Sequence, residues 1–118
     1  MKLTKHAELR GAQRSISEYE LTLLATIGIE VNQKGGTALI TVPKSERSKW
    51  ASTIRTVISL LDSTGHVIGD DIRKKKKALK RLLEHLSAKN MPYLVVSEEE
   101  DKVITCGHLS SHRIKRNH

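Results

Sequence analysis

The sequence predicts an α+β fold with a small antiparallel sheet. Two observations support this class, and a third puts the whole chain in one domain. Apolar residues recur at three-and-four spacing in two long mid-chain segments, which makes amphipathic helices. Short β-prone runs bounded by Gly, Pro and acidic turns flank those segments on both sides. No internal repeat and no Pro- or Gly-rich linker divides the 118 residues, so one domain spanning 1–118 is expected.

Thr4 caps a first helix of about residues 5–14, with Leu9 and Ala12 as its inward positions and Gly11 as a weak point. Ser17 and Glu20 form a capping box, and Ile16 staples onto Leu21, so a second helix runs from Glu18 to just before Gly28. Its core positions are Leu21, Leu24 and Ile27. Ile29 to Val31 and Thr37 to Val42 make a hairpin around Gly35 and Gly36, stopped by Pro43. From Ser45 to Ser63, Trp50, Ile54, Val57, Ile58 and Leu61 form a helical stripe that ends near Gly65. Asp70 or Asp71 caps the next helix, whose stripe is Ile72, Leu79, Leu82, Leu83 and Leu86, and Asn90 and Pro92 close it. Tyr93 to Ser97 and Lys102 to His108 pair as strands across the acidic turn Glu98 to Asp101.

Composition narrows the function classes. One cysteine, Cys106, excludes an internal disulfide framework and a Cys-rich zinc module, and its place among Ile104 and Thr105 reads as a small core side chain. No apolar run approaches the ~20 residues of a membrane span, and the N-terminus is charged, so a cytoplasmic protein without a membrane partner is expected. Lys and Arg number 21 against 13 acids, a net charge of +8, which favours a polyanionic partner, most simply nucleic acid. The charge is clustered. Lys2, Lys5, Arg10 and Arg14 stand against Glu8 at one end, Arg113, Lys115 and Arg116 stand without an acid at the other, and seven of the nine residues 73–81 are cationic. Lys5, Lys74, Lys75, Lys76, Lys77, Lys115 and Arg116 are the candidate nucleic-acid contacts. The lysine run also reads as the wet surface of an amphipathic helix.

His6, Arg10 and Arg14 lie at i, i+4 and i+8, roughly one face of a continuous helix, although a solvated helix surface shows the same pattern. His108, His112, Arg113, Lys115 and Arg116 lie at and beyond the last strand. His108 and His112 lack accompanying Cys or acidic ligands, so neither a metal nor another cofactor is expected. His66 and His85 read as ordinary surface or interface residues. Gly35-Gly36 lacks the Lys-Ser/Thr of a phosphate-binding loop.

The two ends together resemble a small bacterial domain family of uncharacterised function grouped with the RelE, BrnT and barnase-like toxin ribonucleases. The resemblance is carried by Lys5-His6-Ala7 with Arg10 and Arg14, then Ile16-Ser17-Glu18 and a hydrophobic helix ending at Gly28. It continues in Tyr93-Leu94-Val95-Val96, an acidic turn, Val103 to His108, and Arg113-Ile114-Lys115-Arg116. It covers residues 3–42 and 92–116. Residues 45–89, the two amphipathic helices, look like an insertion into a shorter pattern. The resemblance implies N-terminal helices packed on the sheet and metal-independent RNA cleavage. The ribose 2′-hydroxyl attacks phosphorus, a base takes its proton, an acid protonates the leaving oxygen, and cations hold the developing charge. On that reading His6 and His108 form the acid–base pair, and Arg10, Arg14 and Arg113 stabilise the phosphate. Glu20, given its capping role, is a less attractive base.

Two other classes compete with this toxin-like endoribonuclease. One is a non-catalytic nucleic-acid-binding module that leans on phosphate contacts, because Tyr19, Trp50 and Tyr93 are the only aromatics and belong to no stacking motif. The other is a protein-interaction domain. In it, the inserted helices form a homodimer or bind an acidic, antitoxin-like protein.

Overall fold

A computed structural model describes residues 2–63, 69–88, 90–99 and 101–109. In chain order the elements are β1 (Lys2–Leu3), α1 (Lys5–Gln13), α2 (Glu18–Ile27), β2 (Ile29–Gln33), β3 (Thr37–Thr41), α3 (Lys44–Ser63), α4 (Asp70–Ser87), β4 (Met91–Ser97) and β5 (Lys102–Leu109). They make an α+β fold on one five-stranded sheet ordered β1-β5-β4-β3-β2. The β2–β3, β3–β4 and β4–β5 pairs are antiparallel, as expected.

The sheet is nevertheless mixed, which corrects the expectation of a purely antiparallel one. β1 pairs parallel with β5, Lys2 opposite Lys102 and Leu3 opposite Val103. Two residues carry no detectable alternation, so nothing local marks β1 as a strand. Thr4 joins this edge to the first helix. Its amide donates to Val103 O and its hydroxyl to Ile104 O, both at 3.0 Å, while Oγ1 accepts from Ala7 N at 3.1 Å as the helix cap.

α1 therefore runs along β5. Its inward face is Ala7 and Gly11 rather than Leu9 and Ala12, both of which are exposed. Small residues let the helix approach the strand closely, and Cys106 Sγ lies 3.7 Å from Ala7 O. Gly11 is required by the turn from α1 into α2, since a Cβ there would stand 2.8 Å from the Ile16 carbonyl oxygen, whereas Cys106 Sγ on β5 would lie 3.8 Å away.

α2 starts as expected, with Ser17 Oγ accepting from Glu20 N at 3.1 Å, Ile16 buried before it and Gly28 at its end. The second half of the capping box is absent. The Glu20 carboxylate turns inward, where it meets His85 on α4.

α3 and α4 match their expected spans closely, although α3 past Ser63 lies outside the described residues. Gly69 occupies the α4 cap without a side-chain bond, so Asp70 and Asp71 sit in the first turn, where the helix dipole favours carboxylates. α4 stops at Ser87 with Ala88 as its cap, and Pro92 is buried within β4, where its carbonyl accepts from Thr41 Oγ1 at 2.8 Å. Val57 and Ile72 of the expected stripes stay exposed. Leu79, Leu82 and Leu86 of α4 and Ala51 and Ile54 of α3 share one core with Leu21 and Leu24 of α2, Leu94 of β4 and Val103 of β5. α3 and α4 are thus part of that core. Among the described residues no helix is long and apolar enough to cross a membrane.

Gly11→Ala is expected to destabilise the protein by about 1–3 kcal/mol, read as a lowered urea midpoint at unchanged slope, because the added methyl meets backbone rather than a movable side chain.

Candidate functional site

The last turns of α1 and α4 meet the start of β4 and the end of β5 around an open cleft of about 830 Å³. β1 pairs only with Lys102 and Val103, so from Thr105 onward β5 has no strand on its outer side among the described residues. Arg10, Arg14, His85, Tyr93 and His108 line this cleft. The Thr4 junction places α1 there, and Arg10 and Arg14, one turn apart, reach it.

His6 does not reach it. The side chain is exposed and lines none of this cleft, and Lys5 is exposed beside it. Eight residues of helix rotate by about 80°, so the i, i+8 series drifts from the cleft wall at Arg14 to solvent at His6. The sequence-based pairing of His6 with His108 is therefore not brought together. His85 stands in its place.

His85 and His108 rings meet edge to face, centroids 5.1 Å apart at 67°. Behind His85, its Nδ1 pairs with Glu20 Oε2. Glu20 is fully buried, and its other oxygen, Oε1, has no hydrogen-bond partner among the described residues. A carboxylate accepting from Nδ1–H fixes the imidazole tautomer and leaves the other ring nitrogen for the cleft.

Burial lowers the His108 pKa below its ordinary 6.5, and the neighbouring charges of His85, Arg14 and Arg81 lower it further against the opposing pull of Glu20. His108 is thus a neutral imidazole at neutral pH. Burial likewise pushes the Cys106 thiol up despite Arg10 and Arg14, which keeps it a protonated core side chain. Tyr93 lies across Gly107, where a Cβ would stand 3.0 Å from both its Cε1 and its hydroxyl oxygen. A side chain at residue 107 would displace that ring.

The four lysines divide. Lys75 pairs with Asp71 at 3.1 Å and Lys76 with Asp62, whereas Lys74 and Lys77 line a second cleft with Arg81 and Glu20. His66, His112, Arg113, Lys115 and Arg116 lie outside the described residues. Among the described residues no three His, Cys, Asp or Glu side chains cluster as metal ligands.

Glu20 and His85 are the site residues that sequence reasoning misassigned. A signal existed. Glu20, Leu24 and Ile27 share one stripe of α2, and His85 stands three residues after Leu82 and one before Leu86, inside the leucine stripe of α4. Two ionisable residues on two apolar faces are each other's natural partner.

Comparison with family models, curated proteins and solved structures found no match to this chain.

Proton NMR should show His108 titrating below 6.5, with Arg14→Gln moving its midpoint upward. A depressed imidazole pKa means the unfolded chain binds the extra proton first. Its contribution to stability is therefore complete above about 6.5 and is lost as pH falls through the folded midpoint. His108→Gln should flatten that part of the stability profile.

Proposed function

We propose that the protein is a toxin-like, metal-independent endoribonuclease that acts in the cytoplasm, with its reaction centre in the cleft of Arg10, Arg14, His85 and His108. The observation that carries this reading is the meeting of two imidazoles, one neutral and one backed by a buried carboxylate, with two arginines in one open cleft. The resemblance of the chain ends to the toxin ribonucleases points the same way.

Arg10 and Arg14 hold the phosphate oxygens. His108, neutral, takes the proton from the ribose 2′-hydroxyl as that oxygen bonds to phosphorus. The bond from phosphorus to the 5′-oxygen breaks, and His85, as imidazolium with Glu20 as its counter-ion, gives that oxygen its proton. The products are a 2′,3′-cyclic phosphate and a free 5′-hydroxyl, so atoms and charge balance without a metal. The acids Glu98, Glu99 and Asp101 sit at the far end of the β4–β5 hairpin, ~20 Å along β5 from His108, which keeps anion repulsion away from the cleft.

A protein partner rests on a different observation. α3 leaves Val57 and Leu60 exposed, and these apolar positions fit a homodimer or an acidic inhibitor seated on the α3 face.

Purified protein in excess EDTA should cleave single-stranded RNA, and His108→Ala or His85→Gln should each lower the rate by at least about 10²-fold, while His6→Ala stays within about threefold of wild type. Equal inactivity of all four proteins with RNA still bound would overturn the catalytic assignment for free RNA and leave the binding-module reading. Glu20→Gln should lower kcat by about tenfold or more with little change in KM, because it disturbs the orientation of His85 and leaves the phosphate contacts intact.

A further inference from the structure

We propose that α4 carries a binding track for the RNA strand that leads away from the cleft, built by Lys74, Lys77 and Arg81, and that Lys75 and Lys76 take no part in it. The proposal rests on the reading of the cleft as an RNA-cleaving site and specifies its substrate as an extended single strand longer than a dinucleotide.

On a helix, residues 74, 77, 81 and 85 fall within about 80° of one another, so these three cations and His85 form one stripe. The stripe faces the corner between α1 and α2. Arg81 donates to Ser15 O at 3.3 Å, and Lys74, Lys77 and Arg81 line a cleft of about 680 Å³ with Ser15, Ser17 and Tyr19. At its other end the stripe enters the first cleft through His85. The two clefts therefore adjoin along one side of α4.

The division of the lysines is electrostatic. Lys75 and Lys76 have their charge matched by Asp71 and Asp62, and those acids are held below the ordinary carboxylate range, Asp71 first by the Tyr19 hydroxyl and then by Lys75, Asp62 by Lys76. Lys74 and Lys77 face a cleft whose one buried carboxylate, Glu20, is turned to His85. A phosphate backbone in that cleft meets Lys74 and Lys77, which make no ion pair among the described residues, beside Arg81, which pairs with Glu84 at 3.2 Å, whereas over Lys75 and Lys76 it meets lysines that are both paired.

From His85 to Lys74 the helix rises ~16 Å. A stacked single strand advances ~3.4 Å per nucleotide, so the track holds at most ~5 nucleotides beyond the cleaved linkage. A duplex does not fit the chemistry. Attack by the 2′-hydroxyl needs that oxygen in line with the leaving 5′-oxygen, a geometry that a constrained A-form backbone does not provide and a free strand reaches.

The test compares two double variants of equal net charge, Lys74→Gln with Lys77→Gln and Lys75→Gln with Lys76→Gln, so that long-range attraction is the same in both. Anisotropy is measured with fluorescein-labelled 2′-O-methyl RNA of two to eight nucleotides, which cannot be cleaved. Wild-type affinity should rise with length to about six nucleotides and then level. The 74/77 variant should lose about tenfold for the hexamer, with a salt slope shallower by about 1.4, and change little for the dimer, whereas the 75/76 variant should follow wild type.

Equal losses in the two variants, affinity without length dependence, stronger binding of an RNA duplex, or no RNA binding at all would each overturn the track. Length-dependent binding without cleavage of any unmodified oligonucleotide would sink the ribonuclease reading and leave the track standing. Dinucleotide cleavage abolished by His108→Ala, with the two double variants indistinguishable on longer strands, would do the reverse.

Discussion

The pairing of Glu20 with His85 is the constraint on which the arrangement of α2, α4 and the cleft depends. A carboxylate with no solvent exposure is costly to hold, and removing its one partner from such a pair costs about 3–5 kcal/mol. That penalty applies to every packing of α4 in which His85 fails to meet Glu20. The leucine stripe alone tolerates some rotation and sliding of the helix, because apolar burial is non-directional. The directional hydrogen bond between Glu20 and His85 does not. With His85 fixed, Arg81 one turn earlier reaches Ser15 O, and the Lys74 and Lys77 side of α4 faces the α1–α2 corner.

The opposite wall is set by Thr4. One side chain and one amide close the β1–β5 edge and start α1 at the same time, so the first helix has no freedom to leave β5. Ala7 then packs on Cys106, Gly11 makes room for the Ile16 carbonyl, and the two arginines arrive at the end of the strand that carries His108. The cleft is thus assembled from two independent anchors. Both are polar contacts, in a molecule whose core is otherwise leucine, isoleucine, valine and alanine with Met91 and Cys106.

Most of this fold is legible in the amino-acid sequence through its periodicity. α2, α3, α4 and both hairpins stand close to where apolar spacing and turn residues put them, because each is long enough or sharply enough punctuated to write its own signal. β1 is two residues long and owes its existence to β5, a hundred residues away, so it writes none. The inward face of α1 is misleading in sequence because Leu9 is the more hydrophobic residue, whereas the buried positions are Ala7, packed against Cys106, and Gly11, where the Ile16 carbonyl excludes a Cβ. In the site, Arg10, Arg14 and His108 are legible, and sequence spacing favours His6 over His85 because spacing within one helix is visible and apposition of two helices is not. Glu20 shows the same limit. Its place three residues after Ser17 fits a capping box, and only the distant His85 turns that carboxylate inward.

The cations around His108 act on it in two opposite ways, depending on whether an anion is bound. In the free protein, burial and the charges of His85, Arg14 and Arg81 disfavour a proton on His108. On the proposed function, a phosphate held by Arg10 and Arg14 would cancel part of that repulsion and add an attraction of its own, so that the imidazolium becomes easier to form once substrate is in place. A general base needs this sequence: neutral on encounter, and stabilised in its protonated form while the transferred proton is on it. On the proposed function Arg14 thus has two roles, since the guanidinium that would hold a phosphate is also one that keeps His108 neutral until the phosphate arrives.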